Sequence, residues 1–187
     1  MSEPKTATQE ILHTLVGIAR MRQGPEDLPS SAGLLVLVVL ASIIPDAMLL
    51  AILPLPFQGN GAALIAIGIF ATLFWFGLVL RVAGKSARTL QTLTAVFGFQ
   101  LVLAPALVFS GWFLATYNQD PAWQFPAAML RLVVEVWALA VMARILRSAT
   151  EWPMFACVML SIANELLALL LVASLFPQAD AAAAVPV

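Results

Sequence analysis

Histidine and cysteine each occur once in the 187 residues, and charged side chains make up only 10% of the chain. A lone Cys157 leaves no disulfide framework and no thiolate metal site. His13 as the single imidazole excludes multi-histidine zinc sites and leaves a serine–histidine triad implausible. The glycine patterns of nucleotide and hydrolase sites are lacking too. Gly84-Lys85-Ser86 matches the end of a P-loop, but Val79 stands where the first glycine is required. Ser110-Gly111 has Val108 where a nucleophile elbow needs glycine. No enzyme activity, cofactor, metal or nucleic-acid partner is expected of such a chain.

Apolar side chains fill the space that charge leaves. Hydrophobic residues are 62% of the chain and mean hydropathy is +0.98, whereas a soluble domain of this size exposes far more charge. The apolar residues fall into five blocks, Ala32 to Phe57, Ala62 to Ala83, Leu93 to Thr116, Ala127 to Leu146 and Trp152 to Phe176. Each has the roughly 20 residues a helix needs to cross hydrocarbon. The expected fold is therefore an all-α bundle of five transmembrane helices over residues 32–176, between a cytoplasmic tail (1–31) and a disordered Ala- and Pro-rich tail (177–187).

Basic residues are confined to alternate connections. Lys5, Arg20 and Arg22 precede the first block, Arg81, Lys85 and Arg88 follow the second, and Arg144 and Arg147 follow the fourth. The connection Gln58 to Gly61 is uncharged, and Tyr117 to Phe125 carries only Asp120. The positive-inside rule then predicts a cytoplasmic N-terminus and a C-terminus across the membrane, in the periplasm if the membrane is a bacterial inner one. The arginines and Lys85 are candidate contacts for lipid headgroups. No short apolar core with a small-residue cleavage site stands near Met1, so the first block is expected to remain as an anchor.

The tail carries one ordered element. Thr6 and Gln9 are spaced as a capping box, and Ile11, Leu12, Leu15, Ile18 and Ala19 recur on one helical face as far as Gly24-Pro25. Such an amphipathic helix, with Glu10, His13, Gly17 and Arg20 opposite, lies on the cytoplasmic leaflet or docks on protein, including the ends of its own bundle. Pro25 and Pro29 around Glu26-Asp27 then make a stiff corner, with Ser30 and Ser31 available to cap the next helix.

Polar residues inside the blocks are the clearest functional clue, because an ionisable group at mid-depth is costly and usually faces the bundle interior. Asp46, Arg131, Glu135 and Glu165 are such groups, with Gln100 and Asn164 as neutral companions. Arg131 and Glu135 are four apart on one helix and can pair. Asp46 and Glu165 lack an evident cation. They serve either as hydrogen-bonding struts between helices or as a proton or cation pathway. Pro45 and Pro105 each remove one helical hydrogen bond and are expected to kink their helices. Small residues such as Gly68, Thr72, Gly98 and Ala163 favour close helix approach, although no strict GxxxG occurs.

The stretch Gly84-Lys85-Ser86-Ala87-Arg88-Thr89-Leu90 leading to Pro105 resembles the glycine-basic loop and third-helix proline of the Yip-domain family, and Trp137 to Arg144 is similar more loosely. Where that family has a glycine-rich connection between spans four and five, Arg147-Ser148-Ala149-Thr150-Glu151 stands here. The resemblance implies a five-span membrane scaffold that binds other proteins. The expected function is accordingly a non-enzymatic scaffold or accessory subunit partnered by the lipid bilayer and other membrane proteins. The alternative is a small proton- or cation-coupled transporter or channel that uses the intramembrane acids.

Overall fold

The structure, a computed structural model, describes residues 7–53 and 60–176. Thr6 of the expected capping box, Lys5, residues 54–57 of the first block, half of the Gln58 to Gly61 connection and the tail 177–187 lie outside the described residues. Every regular element described is helical: α1 (Ala7–Ala19), α2 (Ala32–Ile52), α3 (Gly61–Val82), α4 (Thr89–Tyr117), α5 (Gln124–Thr150) and α6 (Met154–Leu175), with 3-10 turns at Pro25–Asp27 and Ser86–Arg88. Four helical segments, Ala32–Ile52, Gly61–Val82, Ser86–Tyr117 and Met154–Leu175, are long and apolar enough to cross a membrane. α5 matches them in length but carries Arg131, Glu135, Arg144 and Arg147.

Local chemistry sets the ends of these helices. Ser31 begins α2 by accepting a hydrogen bond from the Leu34 amide at 3.3 Å, and Asn60 begins α3 by accepting from Ala62 N at 3.0 Å. α3 ends where Gly84 takes a left-handed φ of 69°. Gly84 N then donates to Arg81 O and Lys85 N to Leu80 O, the paired bonds of a Schellman motif. Gly84 is thus a helix stop, which disposes of the P-loop likeness on structural grounds. α1 ends by the same bond pattern, with Met21 at φ 58°, Met21 N donating to Ile18 O and Arg22 N to Gly17 O. The helix therefore stops at Ala19, short of the Gly24-Pro25 breaker that the sequence suggested.

α4 lies deepest. Every residue from Thr92 to Phe99 is buried, because α1, α2 and α5 all pack along this half of the helix. With those flanks taken, α3 finds its main neighbour in α6 and touches α4 less. Each consecutive pair from α2 to α6 is in contact, as short loops favour, but α2–α3 and α3–α4 touch least, and α2 packs most extensively on α4. Trp75 on α3 fixes the α3–α6 pair by donating its indole N–H to Leu160 O at 2.9 Å. The outward faces are apolar, with Leu37 64%, Ile44 66%, Phe70 63% and Leu170 65% exposed. Such side chains suit lipid and would be a liability in water.

α1 docks on its own bundle. Leu15, Ile18 and Ala19 are buried, while Leu12 of the expected apolar face points outward. Leu15 reaches the bare backbone of Gly98 so closely that a Cβ there would collide with its methyls. Trp137 on α5 donates to Ala19 O at 3.0 Å. The corner after α1 is held the same way. Gln91 Nε2 donates to Leu28 O at 2.8 Å, and Ser148 Oγ donates to Glu26 Oε2 at 2.6 Å. Pro25 and Leu28 are buried in it.

Candidate functional site

α2, α4, α5 and α6 bring all six polar residues of the sequence-derived cluster to one place. Two contiguous cavities of about 410 Å³ and about 450 Å³ share Asp46, Gln100, Arg131 and Glu165 in their walls. Glu135 lines the first and Asn164 the second. Side chains far apart in sequence meet here because α2, α4 and α5 pack in a row and α6 closes on α5 and α3. Pro45 lines the first cavity beside Asp46. α2 and α4 continue as helices on both sides of Pro45 and Pro105.

Arg131 is the best satisfied member. It pairs with Glu135 one turn along α5, as the spacing predicts, and its Nη1 donates across to Leu107 O on α4 at 3.0 Å. Ser110 Oγ donates to the same carbonyl at 3.0 Å, and Gly111 gives room to Leu49, with the guanidinium at ordinary contact distance. The Leu107 carbonyl is a partner that sequence reading missed. A backbone acceptor has no residue signature, so only the fold reveals it.

The other acids differ. Among the described residues the exposed Glu165 has only its neighbour Asn164, whose Nδ2 donates to Oε1 at 3.4 Å. Asp46 takes part in none of the hydrogen bonds or ion pairs among the described residues, and it is half-buried. Among the described residues neither carboxyl is hydrogen-bonded to another helix. Asn164 is 2% exposed, and its Oδ1 is buried without a hydrogen-bond partner. Leaving such an acceptor unpaired costs free energy, about 1–3 kcal/mol. Ser42, also in the wall, satisfies itself by donating to Val39 O at 2.8 Å.

The basic connections gather at one end of the molecule. Lys85 Nζ lies 2.9 Å and Arg88 Nη1 3.3 Å from Glu151 Oε1, and Arg88 also donates to Ser148 O at 3.2 Å. The ammonium of Lys85, by hydrogen bond and charge, holds the Glu151 carboxyl below the ordinary glutamate range, with Arg88 adding to it. Lys85 and Arg88 are thus engaged with the α5–α6 corner. Arg20, Arg22, Arg81, Arg144 and Arg147 are the exposed basic residues at this end.

An aromatic group marks the other end. Phe109, Trp112, Phe113, Tyr117 and Trp123 form a run of ring contacts with centroids 5.0–6.2 Å apart. They surround the turn in which Asp120 Oδ1 accepts from Ala122 N at 2.9 Å. Trp and Tyr at this level are what a membrane–water boundary selects.

Comparison of the chain with protein-family models, curated proteins and solved structures finds no match. The likeness to the Yip-domain family therefore has no support from these comparisons.

Proposed function

We propose that this is a five-span integral membrane protein that binds and passes a proton or small cation at mid-membrane, as a small cation-coupled transporter or channel. One observation carries the reading. Asp46 and Glu165 face a shared cavity without any bond to another helix, while the one cation in its wall is already committed to Glu135 and Leu107 O. Carboxyls placed as struts would bridge helices. Carboxyls placed to receive a mobile cation would be left open in this manner.

The proposed topology has α5 as the fifth span. It runs between α4 and α6, and its outer face is apolar, with Leu132, Val133 and Val136 exposed. The contacts of Glu26, Lys85 and Arg88 with residues 148–151 put the three basic segments on one side. By the positive-inside rule that side is cytoplasmic, with the C-terminus opposite. A bacterial inner membrane suits this plan.

A second reading keeps the accessory-subunit role. Its support is the thinly covered α2, whose Val36, Leu37, Leu40 and Ile44 are all more than half exposed and offer a face to another membrane protein. The two readings separate in liposomes. The purified protein is expected to conduct protons or K+ under an imposed gradient, and Asp46→Asn or Glu165→Gln to abolish the flux without changing the elution profile. Flux unaffected by both substitutions would remove the cation reading. Wild-type protein that conducts nothing yet co-purifies stoichiometrically with another membrane protein would favour the second.

A further inference from the structure

We propose that the flank where the N-terminal corner docks on α5 binds the headgroup of an anionic phospholipid, through Arg20, Arg22, Arg144 and Arg147. The inference concerns the basic end of the bundle and does not depend on what the mid-membrane cavity carries.

The first observation is how this flank is assembled. Two bonds pin the corner along α5, Trp137 Nε1 donating to Ala19 O at 3.0 Å and Ser148 Oγ to Glu26 Oε2 at 2.6 Å. Residues 20–25 therefore run beside the stretch of α5 from 137 to 148, about 16 Å of helix. Arg20 and Arg22 lie in that segment. Arg144, two turns from Trp137 and one turn from Ser148, stands on the same face of α5. Arg147 is three residues from Arg144 and so its neighbour on the helix surface. Guanidinium groups distant in sequence are thus brought to one strip by bonds in which none of them takes part.

The second observation is their charge. All four arginines are exposed, and their side chains take part in no hydrogen bond or ion pair among the described residues, whereas Lys85, Arg88 and Arg131 are each held by an acid. The acids at this end are committed elsewhere: Glu26 to Ser148, Asp27 to Gly24 N at 3.1 Å, and Glu151 to Lys85 and Arg88. Like charges gathered without a counter-charge repel one another, and an anion shared among them removes that cost. Phosphate suits the role, because its oxygens accept the paired N–H groups of a guanidinium fork.

The third observation is what lies next to the strip. Along α5 it gives way to Trp137, 48% exposed, and then to Leu132, Val133 and Val136, each more than half exposed. An indole at such an edge is what the headgroup level of a membrane selects, and the apolar run beyond it suits acyl chains. A phosphate on the arginines with chains lying along α5 uses both parts of the flank. A free phosphate or a soluble acidic protein would use the arginines alone.

The test is titration of the delipidated full chain in mild detergent with phosphatidylglycerol and with zwitterionic phosphatidylcholine, bound lipid being counted by native mass spectrometry. The first phosphatidylglycerol is expected to bind at least about tenfold tighter than phosphatidylcholine. Arg22→Gln and Arg144→Gln should each weaken it by about fivefold, the effect of one basic residue near an anionic surface, and leave phosphatidylcholine unchanged. Arg81→Gln is the control, since Arg81 is exposed on α3, which packs chiefly on α6; it should change nothing. All three substitutions replace exposed side chains and leave folding intact. Inorganic phosphate and a soluble oligoglutamate peptide, added as competitors, should not displace the lipid. Equal affinity for the two lipids would overturn the assignment. So would an Arg81→Gln loss as large as that of Arg144→Gln, which would reduce the strip to the diffuse attraction of a basic end. Displacement of the lipid by phosphate or by the peptide would overturn it in favour of a soluble anion.

Discussion

At the scale of single residues, backbone geometry explains what side-chain motifs do not. Gly84 resembles part of a nucleotide loop in sequence, yet its left-handed φ and the bonds around it make it the stop of α3. Only glycine adopts that conformation without a steric penalty. Gly84→Ala is therefore expected to lower thermal stability by about 1 kcal/mol, measured by unfolding in detergent, with no effect on the cavity. Glu151 also holds a positive φ, of 65°, and its carboxylate pairs with Lys85 and Arg88. Because its folded-state pKa is depressed, its contribution is complete above the ordinary glutamate range and is lost as pH falls through the lower folded value. Glu151→Gln should accordingly flatten the acid side of the stability profile and leave the neutral side with a constant offset. Thermal unfolding of both proteins from about pH 3 to 7 reads this directly. Neither the ion pairs nor the left-handed corner was legible in the sequence. Lys85 and Arg88 lie more than 60 residues from Glu151, and no local pattern links them.

Among the elements, the long helices were legible and their partners were not. Apolar length alone places α2, α3, α4, α5 and α6 within a few residues of the expected blocks, and the Arg131–Glu135 pair follows from i, i+4 spacing. The fate of α1 depended on tertiary packing. Its periodicity suits a lipid surface and a protein groove equally well, and what decides is Gly98, a bare patch on α4 shaped for Leu15. The same patch offers a coupled test. Gly98→Ala is expected to overpack the contact at a cost of about 1–3 kcal/mol and to speed proteolysis of the N-terminal segment. Adding Leu15→Ala should restore part of the protection, because the two changes share one space. Additive losses would place α1 elsewhere. Gly68, grouped with Gly98 in sequence as a small residue, does the reverse. It leaves a space open in place of admitting a neighbour.

For the molecule as a whole, an asymmetric division runs from end to end. A basic, hydrogen-bonded end ties the N-terminal segment to two connections, an aromatic end borders the opposite surface, and between them six polar residues line a cavity. That Asp46, Arg131, Glu135 and Glu165 would lie at mid-depth was legible from their places in the blocks. That Asp46 and Glu165 would stand without cross-helix partners was not, since it depends on how α4 and α6 are spaced by their neighbours. The central claim is that these acids face a water-accessible cavity and not lipid. It is tested most directly by thiol accessibility in membranes. In a Cys157→Ala background, Glu165→Cys and Asp46→Cys are compared with Leu170→Cys on the outer face of α6, using a cationic, membrane-impermeant methanethiosulfonate. A thiol must ionise in water to react. The account predicts rapid labelling at positions 165 and 46 and none at 170; cysteines at 165 and 46 as inert as that at 170 would contradict it.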